Sequence, residues 1–286
     1  MTDKAPHWTT LVSAEALADA LGRDDVVVVD TRVLLTDRDA SEAAYREAHI
    51  PGARYAHLER DLSDMHQLGA GRHPWPDAAN FTAALSRWGI GPQHQVVAYD
   101  AGDGALAAAR LWFLLRTLGH ERVAVLDGGW ARWRSLGLPV SDEIPAPQPT
   151  RYDAAFDARA LLDAAQVQQH LGDGGVLIDV RAAERFRGEV EPLDRVAGHV
   201  PGARNRPYGT SMHEGRFKPV AELADDLRRT LAGRDPSDAV VMCGSGVTAC
   251  HTLLAFAHAG LPGARLFTGS WSGWISDPAR PIATGE

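Results

Sequence analysis

The sequence predicts an α/β protein made of two tandem domains, each a mostly parallel sheet flanked by helices. Two observations predict this fold class. Short apolar strands alternate with helical segments, and landmarks of the first half recur in the same order in the second half. Alternation of this kind is typical of parallel sheets covered on both faces. A chain of 286 residues is long for one ordinary domain and comfortable for two.

The internal repeat rests on several matched strings. VVVVDT, HIPGAR and VAVLDGGWARW in the first half are matched by VLIDVR, HVPGAR and ARLFTGSWSGW in the second. The strand QVVAY precedes Asp100, as AVVM precedes Cys243. Asp100 precedes Trp130 by 30 positions and Cys243 precedes Trp271 by 28, so the first copy is two residues longer at this point. We interpret the two halves as copies of one α/β domain.

A proline-rich stretch marks the joint between the copies. Prolines cluster between 139 and 149, in a segment without apolar periodicity, which is typical of a linker. The predicted domains are therefore an N-terminal domain at 1–138, a linker at 139–158 and a C-terminal domain at 159–286. Within the copies, helices are predicted over 14–21, 104–118, 160–171, 221–231 and 247–259.

Composition excludes several classes of protein. The formal net charge is −8 and no run of Lys and Arg occurs, which argues against a nucleic-acid partner. No apolar stretch reaches the ~18 residues of a membrane span, and the start MTDKAPHW shows no secretory signal. The two cysteines, Cys243 and Cys250, lie seven apart on one expected helix, so we predict no disulfide between them. A reducing cytoplasm is the expected compartment.

The turn around Cys243 has the composition of an anion-binding site. Cys-Gly-Ser-Gly follows an apolar strand and precedes a helix that is predicted to begin near Val247 or Thr248. Gly244 and Gly246 allow backbone N–H groups to turn inward, and a helix N-terminus adds a favourable dipole. Such a turn favours a thiolate, and it would hold an anionic persulfide equally well. We therefore predict that Cys243 is a functional thiol and that Cys250 is a buried inert one.

The string CGSGVT resembles the active-site loop of the mercaptopyruvate sulfurtransferases, which belong to the two-domain rhodanese family. The paired HIPGA-type motifs and the closing GSW-x-x-W agree with that family over nearly the whole chain. The resemblance implies two tandem rhodanese-like domains, of which the C-terminal one is active. The N-terminal domain, with Asp100 in the position of the cysteine, is implied to be catalytically inactive.

The resemblance also implies a relay of catalytic side chains. Its members would be Cys243, Ser245 as the third residue of the loop, His73 in the stretch His-Pro-Trp-Pro, and Glu59, ten residues after His49. Because His73 and Glu59 come from the N-terminal copy, the family pattern implies a site between the domains.

Substrate-binding residues are implied in the same way. Arg185 lies in the Arg-Phe-x-Gly stretch of the family, and Arg195 is a looser match for a second arginine, because the position nine after Arg185 is Asp194. Arginines suit a donor that carries a carboxylate or is a dianion. The remaining implied contacts are the loop residues Gly244, Gly246, Val247 and Thr248.

The implied function is transfer of sulfane sulfur from 3-mercaptopyruvate to cyanide, a thiol or thioredoxin, through a Cys243 persulfide. No metal or organic cofactor is expected. Thiosulfate-preferring members typically carry two basic residues where Gly244 and Ser245 stand, but a thiosulfate sulfurtransferase with the same cysteine chemistry stays open, as does a non-enzymatic persulfide carrier. A phosphatase would need Arg at Ala249, and a cysteine hydrolase would need a His beside Cys243.

Overall fold

The computed structural model describes residues 7–33 and 38–286. Residues 1–6, which belong to the stretch MTDKAPHW that was expected to lack a secretory signal, lie outside the described part. The chain divides into two compact units. The first contains the described residues up to Leu62 together with Pro76–Phe156, and the second contains Ser63–Trp75 together with Asp157–Glu286. The segment 63–75, which the sequence places in the first copy, is therefore part of the second unit.

The first unit contains five short strands and six helices within its described residues. The strands are β1 (Leu11–Val12), β2 (Val26–Asp30), β3 (Arg54–Tyr55), β4 (Gln95–Tyr99) and β5 (Val123–Leu126). The helices are α1 (Ala14–Ala20), α2 (Arg38–Glu47), α3 (Leu58–Asp61), α4 (Ala78–Arg87), α5 (Ala108–Thr117) and α6 (Gly129–Ser135).

The second unit repeats this arrangement and adds a small hairpin. Its strands are β6 (Leu161–Leu162), β7 (Val176–Asp179), β8 (Arg204–Asn205), β9 (Met212–His213), β10 (Arg216–Phe217), β11 (Ala239–Met242) and β12 (Arg265–Phe267). Its helices are α7 (Ala164–Gly172), α8 (Ala183–Phe186), α9 (Val220–Leu231), α10 (Ala249–His258) and α11 (Ser270–Trp274). Short 3₁₀ turns lie at Ala158–Ala160, Tyr208–Ser211 and Pro236–Asp238.

The two main sheets have the same strand order. The order is β1-β5-β4-β2-β3 in the first unit and β6-β12-β11-β7-β8 in the second. All neighbouring strands in both sheets are parallel. β9 and β10 form a separate antiparallel pair. The predicted fold class, two tandem α/β domains with mostly parallel sheets, is confirmed, and the equal order shows that the repeat in sequence is a repeat in topology.

Each sheet carries a core of its own. Val28, Val97 and Trp133 are among the buried residues of the first core. The second core contains Val240, Met242, Phe267 and both tryptophans of α11, Trp271 and Trp274. These strands are apolar on both faces because helices cover both sides of a parallel sheet. The last residues of β4 and β11, Tyr99 and Met242, are thereby fixed immediately before the two turns that follow.

Three of the five predicted helices agree with the structure to within about two residues, which is the usual uncertainty of a helix boundary. These are the helices observed as α1, α9 and α10. The prediction over 104–118 began too early, because α5 starts at Ala108. The backbone N–H groups of Gly104 and Leu106 donate to the carboxylate of Asp100 at 3.0 and 3.2 Å, which holds this turn out of helical geometry.

The prediction over 160–171 was wrong at its start. Leu161 and Leu162 form β6, which pairs with β12 at the edge of the sheet. The helix begins only at Ala164, after a capping box in which the side chain of Asp163 accepts from the N–H of Gln166 and the Gln166 side chain accepts from the N–H of Asp163.

Within the part of the chain that the structure describes, no helix is both long enough and apolar enough to cross a membrane.

Candidate active site

The Cys243 turn, residues 243–248, joins β11 to α10 in the second unit. Cys243 is buried with 4% of its surface exposed, and the residues up to Val247 are buried as well. Gly246 has a φ of 77°, a left-handed conformation that glycine adopts without strain. α10 starts at Ala249, so Thr248 stands at its N-cap, although its side chain makes no capping hydrogen bond.

The backbone of Cys243 is fixed by the start of α11. Its N–H donates to Ser270 Oγ at 3.1 Å, and its carbonyl accepts from the N–H of Trp271 at 3.0 Å. The carbonyl of Gly244 accepts from the N–H of Ser272 at 2.9 Å. Three consecutive residues, Ser270, Trp271 and Ser272, thus hold the backbone of Cys243 and Gly244 in place.

Ser270 occupies a strained backbone conformation. Its φ is 50°, a left-handed value that non-glycine residues rarely adopt. The hydroxyl accepts from Cys243 and also donates to the carbonyl of Phe267 at 3.1 Å. Strain of this kind is of order 1–3 kcal/mol and is concentrated at functional sites. The hydrogen bond that the Ser270 hydroxyl accepts from Cys243 offsets part of the energetic cost of this strain.

Ser245 and His73 form a direct hydrogen bond. Ser245 Oγ lies 2.9 Å from His73 Nδ1, and both side chains are buried, with 7% and 9% of their surface exposed. A serine hydroxyl bonded to an imidazole can pass a proton to a reacting group, because the ring nitrogen can supply or take up the proton. The structure therefore brings together three residues that the sequence analysis singled out, counting Cys243 two positions before Ser245.

The segment Ser63–Trp75 carries His73 to this turn. Arg72 N–H donates to Ser272 Oγ at 3.0 Å, and Ser276 Oγ donates to the carbonyl of Gly69 at 2.9 Å. These bonds attach the segment to α11 and the residues after it, so the contact between His73 and Ser245 lies inside one compact unit. The predicted sequence boundary at 138 could not indicate this, because the segment leaves the first unit for only thirteen residues.

Two arginines stand beside Gly244. A Cβ atom at Gly244 would lie 2.9 Å from Nη2 of Arg72 and 3.6 Å from Nη2 of Arg185. Arg185 was predicted as a substrate contact, whereas Arg72 was missed. Arg72 precedes His73 in the sequence, and this was the one indication of its role. The indication becomes useful only when the segment that contains both residues is known to reach the Cys243 turn. We call Arg72 and Arg185 the arginine pair.

Buried carboxylates fix the arginine pair. Glu191 accepts from Arg185 at 2.7 and 3.2 Å, and it lies 3.3 Å from Arg181. Burial raises the pKa of Glu191, but the hydrogen bonds and charge of Arg185, together with backbone N–H groups, outweigh burial and bring the pKa below its ordinary value. Asp194 forms an ion pair with Arg72 and lies 3.5 Å from Arg185. The guanidinium groups are consequently held in one geometry beside the turn.

Other residues that the sequence singled out make the following contacts. Arg195 is exposed, and its guanidinium donates to the carbonyl of Ile275. Glu59 belongs to α3 of the first unit, where its N–H donates to His57 Nδ1 at 3.2 Å. Cys243 and Cys250 are both buried free thiols. Cys250 lies in α10 whereas Cys243 precedes that helix, so the expectation of one shared helix was wrong. The Cys250 thiol donates to the carbonyl of Gly246 at 3.4 Å, which supports the turn from the helix side.

The corresponding turn of the first unit, residues 100–107, holds a carboxylate. Asp100 is 2% exposed and accepts from the N–H groups of Gly102 and Gly104 at 3.1 and 3.0 Å, and from Leu106 at 3.2 Å. Complete burial raises its pKa to about 6, against the lowering effect of these hydrogen bonds. A carboxyl side chain thus occupies the turn that, in the second unit, contains a thiol.

Comparison with known proteins agrees with this architecture. Residues 13–136 and 163–277 each match the Rhodanese-like domain family. A Pseudomonas aeruginosa protein named "Probable 3-mercaptopyruvate sulfurtransferase" is 46% identical over 280 residues, covering 96% of this chain and 98% of that protein. A Gallus gallus protein named "Thiosulfate sulfurtransferase" is 33% identical over 276 residues, covering 93% of each.

A solved structure shows the same fold. It is a crystal structure from Escherichia coli, described as a 3-mercaptopyruvate sulfotransferase with the rhodanese fold. The TM-score is 0.80 and the identity 33%, over 93% of this chain and all of that one. The two domain matches, the relatives that align over nearly the whole chain and the solved structure all indicate the same family. The chain therefore belongs to the rhodanese family and is a sulfurtransferase of the 3-mercaptopyruvate or thiosulfate type.

Proposed function

We propose that the protein transfers sulfane sulfur from 3-mercaptopyruvate to a thiophilic acceptor through a persulfide on Cys243. The observation that carries this proposal is the 2.9 Å hydrogen bond between Ser245 Oγ and His73 Nδ1. Ser245 lies two residues after Cys243 in the same turn. A donor whose leaving group is a carbanion needs a proton, and the Ser245–His73 pair would supply one. One relative is named a 3-mercaptopyruvate sulfurtransferase and another a thiosulfate sulfurtransferase, so the names are compatible with either compound as the donor.

In the first half-reaction, the Cys243 thiolate attacks the sulfur of 3-mercaptopyruvate. A sulfur–sulfur bond forms with the electron pair of the thiolate, and the carbon–sulfur bond breaks with its pair on carbon. The leaving group is the enolate of pyruvate, which takes up one proton from Ser245, and His73 replaces that proton. The proton of the donor's thiol group leaves the outer sulfur as the persulfide ionises and restores His73, so the products are pyruvate and a persulfide anion. Backbone N–H groups of Gly244, Gly246 and Val247, with Thr248 at the helix start, would hold the persulfide anion.

The arginine pair would bind the anionic end of the donor. Arg72 and Arg185 both stand beside Gly244, and a guanidinium group binds a carboxylate through two parallel hydrogen bonds. We propose that Arg72, rather than Arg195, is the partner of Arg185 in this role, since Arg195 is bonded to Ile275. In the second half-reaction, cyanide, a thiol or reduced thioredoxin attacks the outer sulfur and releases the Cys243 thiolate. The kinetics would be ping-pong.

We propose Glu59, which the family pattern implies, as the acid of the relay. The matched test is Glu59→Gln, which keeps the size of the side chain and removes its charge. Turnover of mercaptopyruvate should fall about tenfold in kcat, because the imidazolium form of His73 would lose its counter-charge. If Glu59→Gln keeps the kcat of the wild type, Glu59 is no part of the relay.

Thiosulfate is the second candidate donor, and the arginine pair is the observation that favours it. Two guanidinium groups suit a sulfonate as well as a carboxylate. Here the outer sulfur of thiosulfate passes to Cys243 and sulfite leaves with the electron pair, so no proton is needed. Gly244 and Ser245 are uncharged, so Arg72 and Arg185 would supply the positive charge that basic loop residues supply in thiosulfate-preferring relatives.

Steady-state turnover with cyanide as the acceptor tests the proposal. 3-Mercaptopyruvate and thiosulfate are compared side by side, with Cys243→Ser as the blank and Cys250→Ser as the matched control. Higher kcat/KM on mercaptopyruvate supports the proposed donor. Higher kcat/KM on thiosulfate makes thiosulfate the donor with the chemistry retained. Turnover no higher than the Cys243→Ser blank for both donors would leave a non-enzymatic persulfide carrier as the better reading.

A further inference from the structure

We propose that Asp194 sets the donor preference, as an internal counter-ion that competes with the donor for the arginine pair. This inference rests on the proposed function, because it takes the arginine pair as the place where the anionic end of the donor binds. It goes further by assigning a role to a residue that stands where the family pattern expects an arginine. The consequence is selection by donor charge.

Asp194 is placed where a donor anion would otherwise be. Its side chain is 4% exposed and pairs with Arg72 through Oδ1. Its Oδ2 is buried, makes no hydrogen bond to any residue that the structure describes, and lies 3.5 Å from Nη2 of Arg185. One carboxylate therefore lies close to both guanidinium groups, and one of its oxygens has only an ion pair to offset its burial.

The arginine pair does not depend on Asp194 alone for its position. Arg185 is bound through two nitrogens by Glu191, whose carboxylate also accepts from the N–H of Asp194 at 3.1 Å. Arg72 is attached through its own N–H to Ser272 Oγ. Loss of the Asp194 charge should thus free the guanidinium groups for a ligand without releasing the backbone that carries them.

The charges of this cluster cancel in the absence of a donor. Arg72, Arg181 and Arg185 face Asp179, Glu191 and Asp194 across ion pairs of the second unit. A donor anion therefore binds to a neutral cluster rather than to a cationic one. Repulsion between Asp194 and a donor grows in proportion to the charge of the donor. Thiosulfate carries two charges and the carboxylate of 3-mercaptopyruvate one, so Asp194 should act against thiosulfate more strongly.

This proportionality gives a quantitative expectation. The repulsion energy for a dianion is about twice that for a monoanion. Because Kd depends exponentially on the binding free energy, removal of that repulsion lowers the Kd of a dianion by about the square of the factor for a monoanion. Asp194→Asn should lower Kd about 5-fold for 3-mercaptopyruvate and about 25-fold for thiosulfate.

Calorimetric titration of a variant without the nucleophile separates this inference from the proposed function. Both donors are titrated into Cys243→Ser, alone and combined with Asp194→Asn, Asp194→Glu or the exposed control Asp225→Asn. Asp225→Asn changes the net charge equally, and its side chain is 67% exposed on α9. Asp194→Glu keeps the charge and should keep the donor preference of Cys243→Ser. Wild-type turnover is measured in parallel, so a failed proposed function appears there and not in the titration.

The expected result is tighter binding of both donors in the Asp194→Asn background, with the larger gain for thiosulfate and no gain with Asp225→Asn. Equal gains for the two donors, unchanged affinities, or weaker binding would each overturn the proposal, and weaker binding would make Asp194 a structural support of the arginines. Asp194→Ser provides a second neutral replacement if Asp194→Asn does not fold. If neither neutral variant folds, Asp194 is a structural residue and the proposal is overturned as well.

Discussion

The turn after β4 and the turn after β11 follow equivalent strands of two sheets with the same strand order, but they contain different groups. In the first turn the carboxylate of Asp100 accepts three backbone N–H groups. In the second turn the side chain at the same point is the thiol of Cys243. The same turn thus occurs twice, once with a carboxylate bound by the backbone N–H groups and once with a thiol at the same position.

The two turns share one supporting backbone hydrogen bond but differ in the residue that precedes the supporting tryptophan. Trp130 N–H donates to the Asp100 carbonyl at 2.9 Å, as Trp271 N–H does to the Cys243 carbonyl at 3.0 Å. Immediately before these tryptophans the first copy has Gly129 at a φ of 52°, whereas the second copy has Ser270 at 50°. The first copy has the unstrained residue, and the second keeps a strained one whose hydroxyl binds Cys243. The difference indicates that stability dominates in one turn and positioning of the thiol in the other.

The largest expected effect comes from exchanging the two key side chains for serine. Cys243→Ser should reduce turnover at least ~1000-fold, because the nucleophile is lost. Asp100→Ser should leave kcat within about twofold, since Asp100 is assigned no part in the transfer. Turnover of both variants with cyanide measures the contrast. Comparable losses in the two would show that the turns share the chemistry.

Removal of the Ser245 hydroxyl should separate the two donors. Ser245→Ala is expected to lower kcat on 3-mercaptopyruvate about 100-fold, because the enolate loses its proton source. With thiosulfate the leaving sulfite needs no proton, so kcat should change less than about threefold.

His73→Asn should repeat this pattern, whereas the exposed Ser237→Ala serves as the neutral control on the same unit. Equal losses with both donors would mean that Ser245 and His73 shape the loop instead of moving a proton.

The Gly129 and Ser270 positions should respond differently to an exchange. Ser270→Gly relieves the backbone strain but removes both hydrogen bonds of the hydroxyl, so the free energy of unfolding should change by less than about 1 kcal/mol. Its kcat should fall about tenfold, because Cys243 loses the acceptor of its N–H.

Gly129→Ser should instead destabilise by about 2 kcal/mol or more, since a Cβ there would lie 2.3 Å from the Gly102 carbonyl oxygen. Denaturant unfolding with parallel turnover measures both variants. A Ser270→Gly enzyme with full activity would remove Ser270 from the positioning of the thiol.

The last expected effect concerns stability alone and is a pH dependence that arises from Asp100. Its folded-state pKa, about 6, lies above its ordinary value, so its contribution to stability is greatest at low pH and falls as the pH rises through 6. Relative to Asp100→Asn, which does not titrate, the wild type should lose about 2 to 3 kcal/mol between pH 4 and pH 8. Unfolding of both proteins across that range measures the difference. A constant difference would show that the carboxylate is ionised throughout.

The fold was predictable because it depends on local patterns that occur twice. Apolar strands, the repeated strings and the turns after each strand were enough for two parallel α/β domains. The exceptions have physical causes. The helix predicted from Gly104 starts at Ala108 because Asp100 takes the N–H groups that the first turn would need. Leu161 and Leu162 were assigned to a helix because pairing with a distant strand cannot be deduced from two residues.

The candidate site was predictable only in part, because some of its residues come together through contacts between segments that are distant in sequence. Cys243 and Ser245 belong to one loop, and the family pattern led to His73, whose contact with Ser245 joins positions 172 apart. Arg72 was missed, since nothing local indicates that its segment bonds to Ser272. Asp194 was treated only as a mismatch at an expected arginine, because an ion pair between a surface loop and another segment has no signature in sequence.

The central claim is that Cys243 carries the transferred sulfur. Mass spectrometry after incubation of the wild type with 3-mercaptopyruvate, without an acceptor, tests this most directly. The account predicts that one sulfur atom is added to the peptide containing Cys243, that Cys243→Ser gains none, and that cyanide removes it with formation of thiocyanate. Added sulfur located on Cys250, or no added sulfur on a protein that still turns over, would contradict the account.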